Sequence, residues 1–594
     1  MNTDSKNNWR TILSKSLSEP RRFFFWLSLV SLFVLFMTLL FLDATSLTRQ
    51  CAHWVGLAGI IGFIIGLPAF LLSWIPPLRG FFTGLLRHKL FCLVCIVTLV
   101  ALFYAVENWR GRTSWANFQR EWEAKGVSFD VAKIIPPPVR AEENMFEAQP
   151  WTGFHFTRTN GVRFDNTNIQ NDTWLDVTGP NHNNAPKGTD LFTARRVNLL
   201  SWQEFYRGSN NVFATVAGSH TNYFPVAESP QSAPQDVLLA LSRSEVRLEQ
   251  IREAGKRPAA RFWIDYEEGL MALLPHLAKV KANSTYLRLR AEALLAENKT
   301  GEALGDTLLA FRLGDAIRDE PTLISQLVRI AEFHITLSCV WEGLLDHRWS
   351  DEQLKTLGAT LAKADFLADY QTGMNGERCL SVWAVDYVHR SGEMDSLSGM
   401  SESEDGDLGG VILSSVETIL YRLAPTGWFD QNKLSLGRTH VNHIRPLVNT
   451  ENQMVHPELA RQTQIEMDAM RPTPYDMFSQ MLIPALTQSA KKTAIAQSYA
   501  SMARIAIALE RHHLAHASYP ETLDALAPQF IAKLPHDVIN GQPLKYRRTE
   551  TGGFILYSVG WNEKDDGGTV VMGSGKTPSV DQTQGDWVWA SEAK

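Results

Sequence analysis

The chain opens with hydrophobic runs too long and too continuous for a soluble core. Residues 23–42 read FFFWLSLVSLFVLFMTLLFL, with Ser28, Ser31 and Thr38 as the only polar members. A run of that length spans a bilayer. Residues 54–75 form a second run and residues 90–106 a shorter third, with Trp54, Trp74, Tyr104 and Trp109 near the ends, where aromatic belts sit. Three transmembrane helices over 23–106 are the expectation. The period then changes. Between 150 and 235 a background rich in Asn, Thr and Gly carries short alternating runs such as GFHFTRT and TWLDVTG, which predict irregular β structure or long loops. Helical periodicity follows, predicting helices at 233–253, 262–281, 284–297, 299–317, 322–345 and 351–370, a pairwise rhythm like that of a helical-hairpin array. Residues 287–317 have the small-residue and turn placement of tetratricopeptide-like repeats, without a second copy at a period near 34. In the last long helix, Ile495, Met502, Ile505 and Leu509 make one apolar stripe.

Charge orients the hydrophobic runs. The N-terminal segment carries Lys6, Arg10, Lys15, Arg21 and Arg22, and the loop between the second and third runs carries Arg79, Arg87 and Lys89, whereas the first loop has only Arg49. The positive-inside rule places the N-terminus and the second loop in the cytoplasm, and three spans then put everything after Val106 on the other side. A signal peptide is the competing reading of the first run, but two runs follow it, and TRQC at 48–51 lacks the small residues of a lipoprotein cleavage site. Composition adds less. With 594 residues there is room for several units. A net charge of −6 and a pI near 6.3 give no basic field for nucleic acid. Of five cysteines, Cys51, Cys92 and Cys95 lie in or beside the runs, leaving Cys339 and Cys379 in the soluble part. This is no disulfide scaffold, and Cys339, in an apolar helical run, is expected to be a buried free thiol.

The expected organisation is a cytoplasmic segment at 1–22, transmembrane helices at 23–106, a charged stalk helix and Pro-rich linker at 107–149, and an irregular region at 150–235. A helical array at 236–390, a flexible acidic loop at 391–410, a helical and linker region at 411–487, and a long helix with a small α+β module at 488–594 complete it. The stalk, NWRGRTSWANFQREWEAKG, reads as solvated, with a membrane-surface helix as the alternative.

Candidate chemistry is sparse. Asp405 and Asp407 in the acidic loop miss the spacing of an EF-hand. His440 and His443 have the i, i+3 spacing of two ligands on one helical turn but no third ligand, and read as surface residues. The long helix ends in RHHLAH, where His512, His513 and His516 read first as a cap on the negative end of the helix dipole. HExxH, GxSxG and a CxxC zinc pair are missing from the soluble part. VVMGSGKT at 570–577 ends like a P-loop, yet Val570 stands at the first glycine and Pro578 follows at once, so no helix N-terminus exists to cradle phosphate. Neither nucleotide nor nucleic acid is expected as a partner.

Residues 519–568 carry an ordered set of motifs: YP, a short amphipathic helix, P-x-D before an N-G turn, an aromatic strand, LYSxG, and an acidic Gly-rich loop. Preceded by a long helix, this order resembles the globular half of the major pseudopilins of type II secretion, over roughly residues 488–571. The resemblance implies a structural Ca²⁺ at Asn562, Asp565 and Asp566; the residues alone leave a hairpin turn with solvated acids open. Pseudopilins carry one hydrophobic helix directly before the globular part, which this chain does not, so a pilus subunit is not expected. The linker at 135–144 and GWFDQNK at 427–433 look similar to large, uncharacterised, membrane-anchored bacterial envelope proteins. The fold class expected is thus a mainly α membrane protein: N-terminal transmembrane helices, an extracytoplasmic α-helical array with an irregular β/loop segment, and a C-terminal pseudopilin-like α+β module. The expected function is a non-catalytic binding or scaffolding protein of the bacterial inner membrane with an envelope protein partner. An extracytoplasmic hydrolase with dispersed catalytic residues and an accessory component of a type II secretion or pilus-like system are the alternatives.

Overall fold

The computed structural model describes residues 20–40, 67–68, 70–71, 89–154, 157–159, 162–164, 175–179, 184–214, 220–391, 423–470, 473–574 and 579–591. Most of the second hydrophobic run, the acidic stretch with Asp405 and Asp407, and residues 575–577 lie outside the described residues. The chain is mostly helical with a few small sheets and divides into two compact units, Met1–Ser114 with Val388–Asp430 and Trp115–Tyr387 with Gln431–Lys594.

In the first unit, helix α1 (Pro20–Leu40) coincides with the first hydrophobic run and leaves Phe25, Trp26, Leu29, Val30 and Leu32 exposed. The Ser28 hydroxyl donates to the Phe24 carbonyl at 2.8 Å, so it needs no outside partner. Helix α2 (Lys89–Ala124) joins the third run and the charged stretch, two elements in the sequence reading, into one. From Phe91 to Val106 its large apolar side chains are exposed. Gly111 meets the backbone of Gly427 so closely that a Cβ would lie 2.2 Å from the Gly427 carbonyl oxygen. Among the described residues two helices are long and apolar enough to cross a membrane: the Leu93–Ala124 part of α2, and Leu323–Leu345, whose apolar window is mostly buried, as a core helix requires.

In the second unit, the last turns of α2 are not a solvated stalk: Trp115 and Phe118 are buried against Val127, Phe129, Val382, Leu434 and Val441. The Pro-rich linker is pinned at its end, where the Asn144 amide donates to the Arg261 carbonyl at 2.8 Å and Met145 and Phe146 enter the main core. The segment expected to be irregular β holds two small hairpins, β1 (Thr157–Thr159) with β2 (Val162–Phe164) and β3 (Val212–Ala214) with β4 (His220–Asn222). It also holds α3 (Leu199–Arg207), capped by Asn198 and burying Trp202, Phe205 and Tyr206. At nine residues, α3 is too short for its period to stand out.

The array follows as α4 (Ala233–Leu241), α5 (Glu245–Gly255), α6 (Pro275–Ala296), α7 (Thr300–Asp315), α8 (Leu323–Leu345), α9 (Asp351–Leu361) and α10 (Phe366–Ser391). Helices α6, α7 and α8 pack on one another around Leu287, Leu289, Leu313 and Ile317. Several expected boundaries shift: the predicted helix 233–253 is divided between α4 and α5, and the one predicted from 262 becomes α-helical only at Pro275. Helix α6 runs through the predicted break near 281–284, and the predicted helix 351–370 is divided between α9 and α10. Helix α9 starts at a capping box, Ser350 with Gln353, which fixes the start of a new helix. Cys339 and Cys379 are buried and free.

After α11 (Thr426–Thr439), the short strands β5 (Val448–Asn449) and β6 (Met454–Val455), and α12 (Pro457–Ala469), the chain enters α13 (Met477–His516). Helix α13 begins before residue 488 and is buried well beyond the predicted stripe, at Ala494, Tyr499, Ala503 and Ile507 among others. Burial on nearly every face, with small polar residues such as Ser489, Thr493, Ser498 and Ser501 buried beside the apolar ones, makes it a core helix. It packs on α8 and α9 and also on the C-terminal sheet, so 488–594 does not stand apart. That sheet is antiparallel in the order β11 (Trp587–Ala590), β8 (Phe554–Ser558), β7 (Lys545–Arg548), and beside it β9 (Val570–Met572) pairs with β10 (Val580–Gly585). Leu556 and Trp589 pair across the sheet and are both buried, and the Tyr499 hydroxyl donates to the Val588 carbonyl at 3.2 Å.

Candidate functional site

The end of α8 sets the geometry. The Arg348 N–H donates to the Gly343 carbonyl at 2.8 Å and the His347 N–H to the Leu344 carbonyl at 3.2 Å, the two bonds of a Schellman motif. His347 therefore takes the left-handed position, φ +50°, where glycine is usual. Trp349 folds back onto the helix because Gly343 has no Cβ; one would lie 2.0 Å from the indole nitrogen. The turn thus carries the His347 ring towards α13.

Helix α13 meets it with Ala506, Glu510 and His513 along one face, a spacing of four and three residues. Glu510 is only 2% exposed. His347 Nδ1 and Glu510 Oε1 are hydrogen-bonded at 2.7 Å, and the Tyr519 hydroxyl donates to Oε2 at 3.2 Å. The His513 ring stacks on His347, with centroids 5.0 Å apart and planes at 15°, and its other neighbour is Tyr519 at 4.8 Å. These groups line a cleft of about 200 Å³ whose floor includes Trp341 and Trp589, with the turn at Thr551–Gly553 at its rim. The Trp341 indole donates to the Ala590 carbonyl at 2.7 Å, fixing the floor to β11.

Burial shapes the electrostatics. It pushes the His513 imidazole below its usual range; the Glu510 carboxylate opposes this, and His347 and His512 add to it. Tyr519 is pushed well up, by burial first and then by the Glu510 charge, so it stays a donor. His347, Glu510 and His513 offer ligand atoms all within 4.8 Å of one another. Chemically, a carboxylate that orients one imidazole while a second lies beside it can move a proton or take a cation.

The predicted site residues lie elsewhere. In the acidic loop, Asp565 Oδ1 accepts from the Tyr557 hydroxyl at 2.9 Å and Oδ2 pairs with Lys545 at 3.1 Å. Asn562 and Asp566 come together, the Asn562 amide donating to Asp566 Oδ2 at 2.8 Å. Underneath, the buried Asp586 accepts from the Asp566, Gly568 and Thr569 N–H groups. The loop is thus tied by its own hydrogen bonds. His440, read as a surface residue, is buried and pushed down to about 3 by burial and Arg378, while His443 lies 3.4 Å from Glu466. Of the RHHLAH run, His512 reaches the Ser518 carbonyl at 2.8 Å and His516 the His512 carbonyl at 3.1 Å, consistent with capping. His513 instead turns into the cleft. Sequence reasoning missed His347 and Glu510. The one available signal was an acid directly after the apolar Leu509, three residues before a histidine, the Glu-x-x-His spacing that places both groups on one inward face.

A second acidic group lies deeper. The Thr189 hydroxyl is within hydrogen-bonding distance of both Glu292 and Glu342, and Glu342 also accepts the Val197 N–H at 2.8 Å. One hydroxyl hydrogen serves only one of the two carboxylates at a time, and the Arg288 Nε lies 3.7 Å from Glu292 Oε1 on the same helix. Burial raises Glu292, and the neighbouring Glu342 charge raises it further.

No family model, curated protein or solved structure matches the chain.

Proposed function

We propose that the chain is a membrane-anchored bacterial envelope protein whose helical body lies outside the cytoplasm and binds or scaffolds a protein partner without catalysis. The observation that carries this reading is α2, a single helix whose residues 91–106 expose a continuous apolar surface and whose later residues Trp115 and Phe118 are packed. Such a surface is unfavourable in water and favourable in hydrocarbon. The exposed apolar residues of α1 support it too. The loop charges supply the orientation. A reporter active only outside the cytoplasm, fused after Val106, should be active; activity of a cytoplasm-only reporter at that point overturns both topology and compartment.

The long helix α13 laid on an antiparallel sheet supports the pseudopilin-like reading of the C-terminal region, and with it an accessory role in a type II secretion or pilus-like system. Cross-linking in intact cells tests it: recovery of secretion-system subunits favours this role, and their absence from the cross-linked set removes it. A hydrolase is favoured by a different observation, the pairing of His347 with the buried Glu510 inside a cleft. Ester and amide substrates turned over by the native chain but not by His347→Gly would replace the non-catalytic reading.

A further inference from the structure

We propose that His347, Glu510 and His513 bind a Zn²⁺ ion, with the cleft leaving a position open for water or a further ligand. The donor set is two imidazole nitrogens and one carboxylate oxygen, which suits a borderline transition metal and not Ca²⁺ or Mg²⁺, cations that prefer all-oxygen sites. The three ligand atoms already lie within 4.8 Å of one another, and turning the two imidazoles out of their near-parallel stack would aim their nitrogens at one ion. In that step the metal takes the place of the proton now shared between His347 Nδ1 and Glu510 Oε1, and the proton leaves to solvent.

Two independent features fit a built site. His347 is held in left-handed backbone, a conformation that favours glycine, so its imidazole is present at a conformational cost that a plain helix end does not need. The Tyr519 hydroxyl bonds the second oxygen of Glu510, as a hydrogen bond from outside the ligand set orients a metal-binding carboxylate. The ligands come from the end of α8 and one turn of α13, two elements packed together, so the site forms only in the folded chain. None of this depends on the membrane topology or on the partner.

The test uses the untagged full chain in detergent, stripped with chelator and titrated with Zn²⁺ under equilibrium dialysis, with Co²⁺ absorption as a report on ligand geometry. One Zn²⁺ per chain is expected. His347→Gly suits the backbone at that position, so it folds, and it should lose the ion and the Co²⁺ band. Tyr519→Phe should weaken binding about 10- to 100-fold, the usual effect of removing a partner of a metal ligand. His512→Ala, on the capping side of the helix, should bind as the native chain does. A native chain that retains no Zn²⁺, or a His347→Gly chain that binds it with native affinity, overturns the proposal.

Discussion

The chain gathers carboxylates in two contrasting ways. In the helical body, Glu292, Glu332, Glu342 and Glu510 come from three helices, α6, α8 and α13, and are buried; in the C-terminal loop, Asp565 and Asp566 are adjacent in sequence and exposed. The buried acids depend mainly on tertiary structure for their partners: Glu342 on Thr189 and Val197, Glu332 on Ser284, and Glu510 on His347, although Glu292 also has Arg288 one turn away on its own helix. The loop acids are served by near neighbours and by the adjacent strand: Asp565 by Gly567, Tyr557 and Lys545 of β7, and Asp566 by Asn562. A cluster conspicuous in sequence can therefore be a self-satisfied turn, while a cluster invisible in sequence can be the one that converges in space.

The strongest way to break this comparison is at Glu342. Glu342→Ala leaves the Val197 N–H without its acceptor and opens a void beside Glu292, and should cost roughly 2–4 kcal/mol. Glu292→Gln keeps the shape without needing a charge, and should change stability little. Urea denaturation of both variants checks the pair. A larger loss for Glu292→Gln than for Glu342→Ala would show that Glu292 is not held as the neutral acid.

The next contrast is in pH. Burial pushes Glu332 up to about 8, opposed by Ser284 and Arg329, so the folded chain keeps a proton that the unfolded chain releases in the ordinary carboxyl range. This contribution to stability is full at acid pH and is lost as the pH rises towards about 8. Asp565 has the opposite sign: Lys545 first, then Tyr557 and Gly567, hold its pKa below the usual range, so its contribution is present near neutrality and is lost on acidification. Glu332→Gln should flatten the decline in denaturation midpoint between pH 5 and about 8. An unchanged slope would mean that Glu332 does not titrate there.

The sequence showed the periodic elements well and the meeting points poorly. The helices α7 and α8 and the apolar stripe of α13 were legible because burial along one face leaves a period. The α3 helix was lost in its Asn- and Thr-rich surroundings, and the merger of the third hydrophobic run with the charged stretch into α2 left no mark, because helical continuity across a change in polarity has no residue signature. At the cleft, Glu510 and His513 were half visible from their spacing. His347 could not be found, since it follows an ordinary helix end, 163 residues before Glu510, and a left-handed histidine is written no differently from any other.

That position gives a smaller, sharper test. Replacing a residue in left-handed conformation by glycine removes strain of about 1 kcal/mol. Ala517, at φ +52° after α13, has no polar side chain to lose, so Ala517→Gly should stabilise the chain by about that amount. His347→Gly gains the same relief but gives up the Glu510 hydrogen bond and the ring stack, so it should gain less. Thermal melts of the two variants compare them directly. Equal gains would show that the His347 side chain contributes nothing to the folded cleft.

The smallest effect is expected at the acidic loop, where the pseudopilin resemblance implies Ca²⁺ at Asn562, Asp565 and Asp566. Lys545 already neutralises Asp565, and the Asn562 amide already donates to Asp566, so an arriving cation must displace one partner and turn the other. Competition of this kind lowers affinity, and stabilisation by a ligand that binds only the folded state grows with the ratio of its concentration to Kd. Calcium in place of chelator should therefore raise the melting temperature of the full chain by no more than corresponds to about 1 kcal/mol. The full chain is the right sample because α13 runs through the core on both sides of residue 488. Lys545→Ala removes the competing ammonium and should enlarge the calcium effect, whereas Asp565→Ala should abolish it. A Lys545→Ala chain that melts identically in calcium and chelator leaves the loop as a turn closed by Asp586.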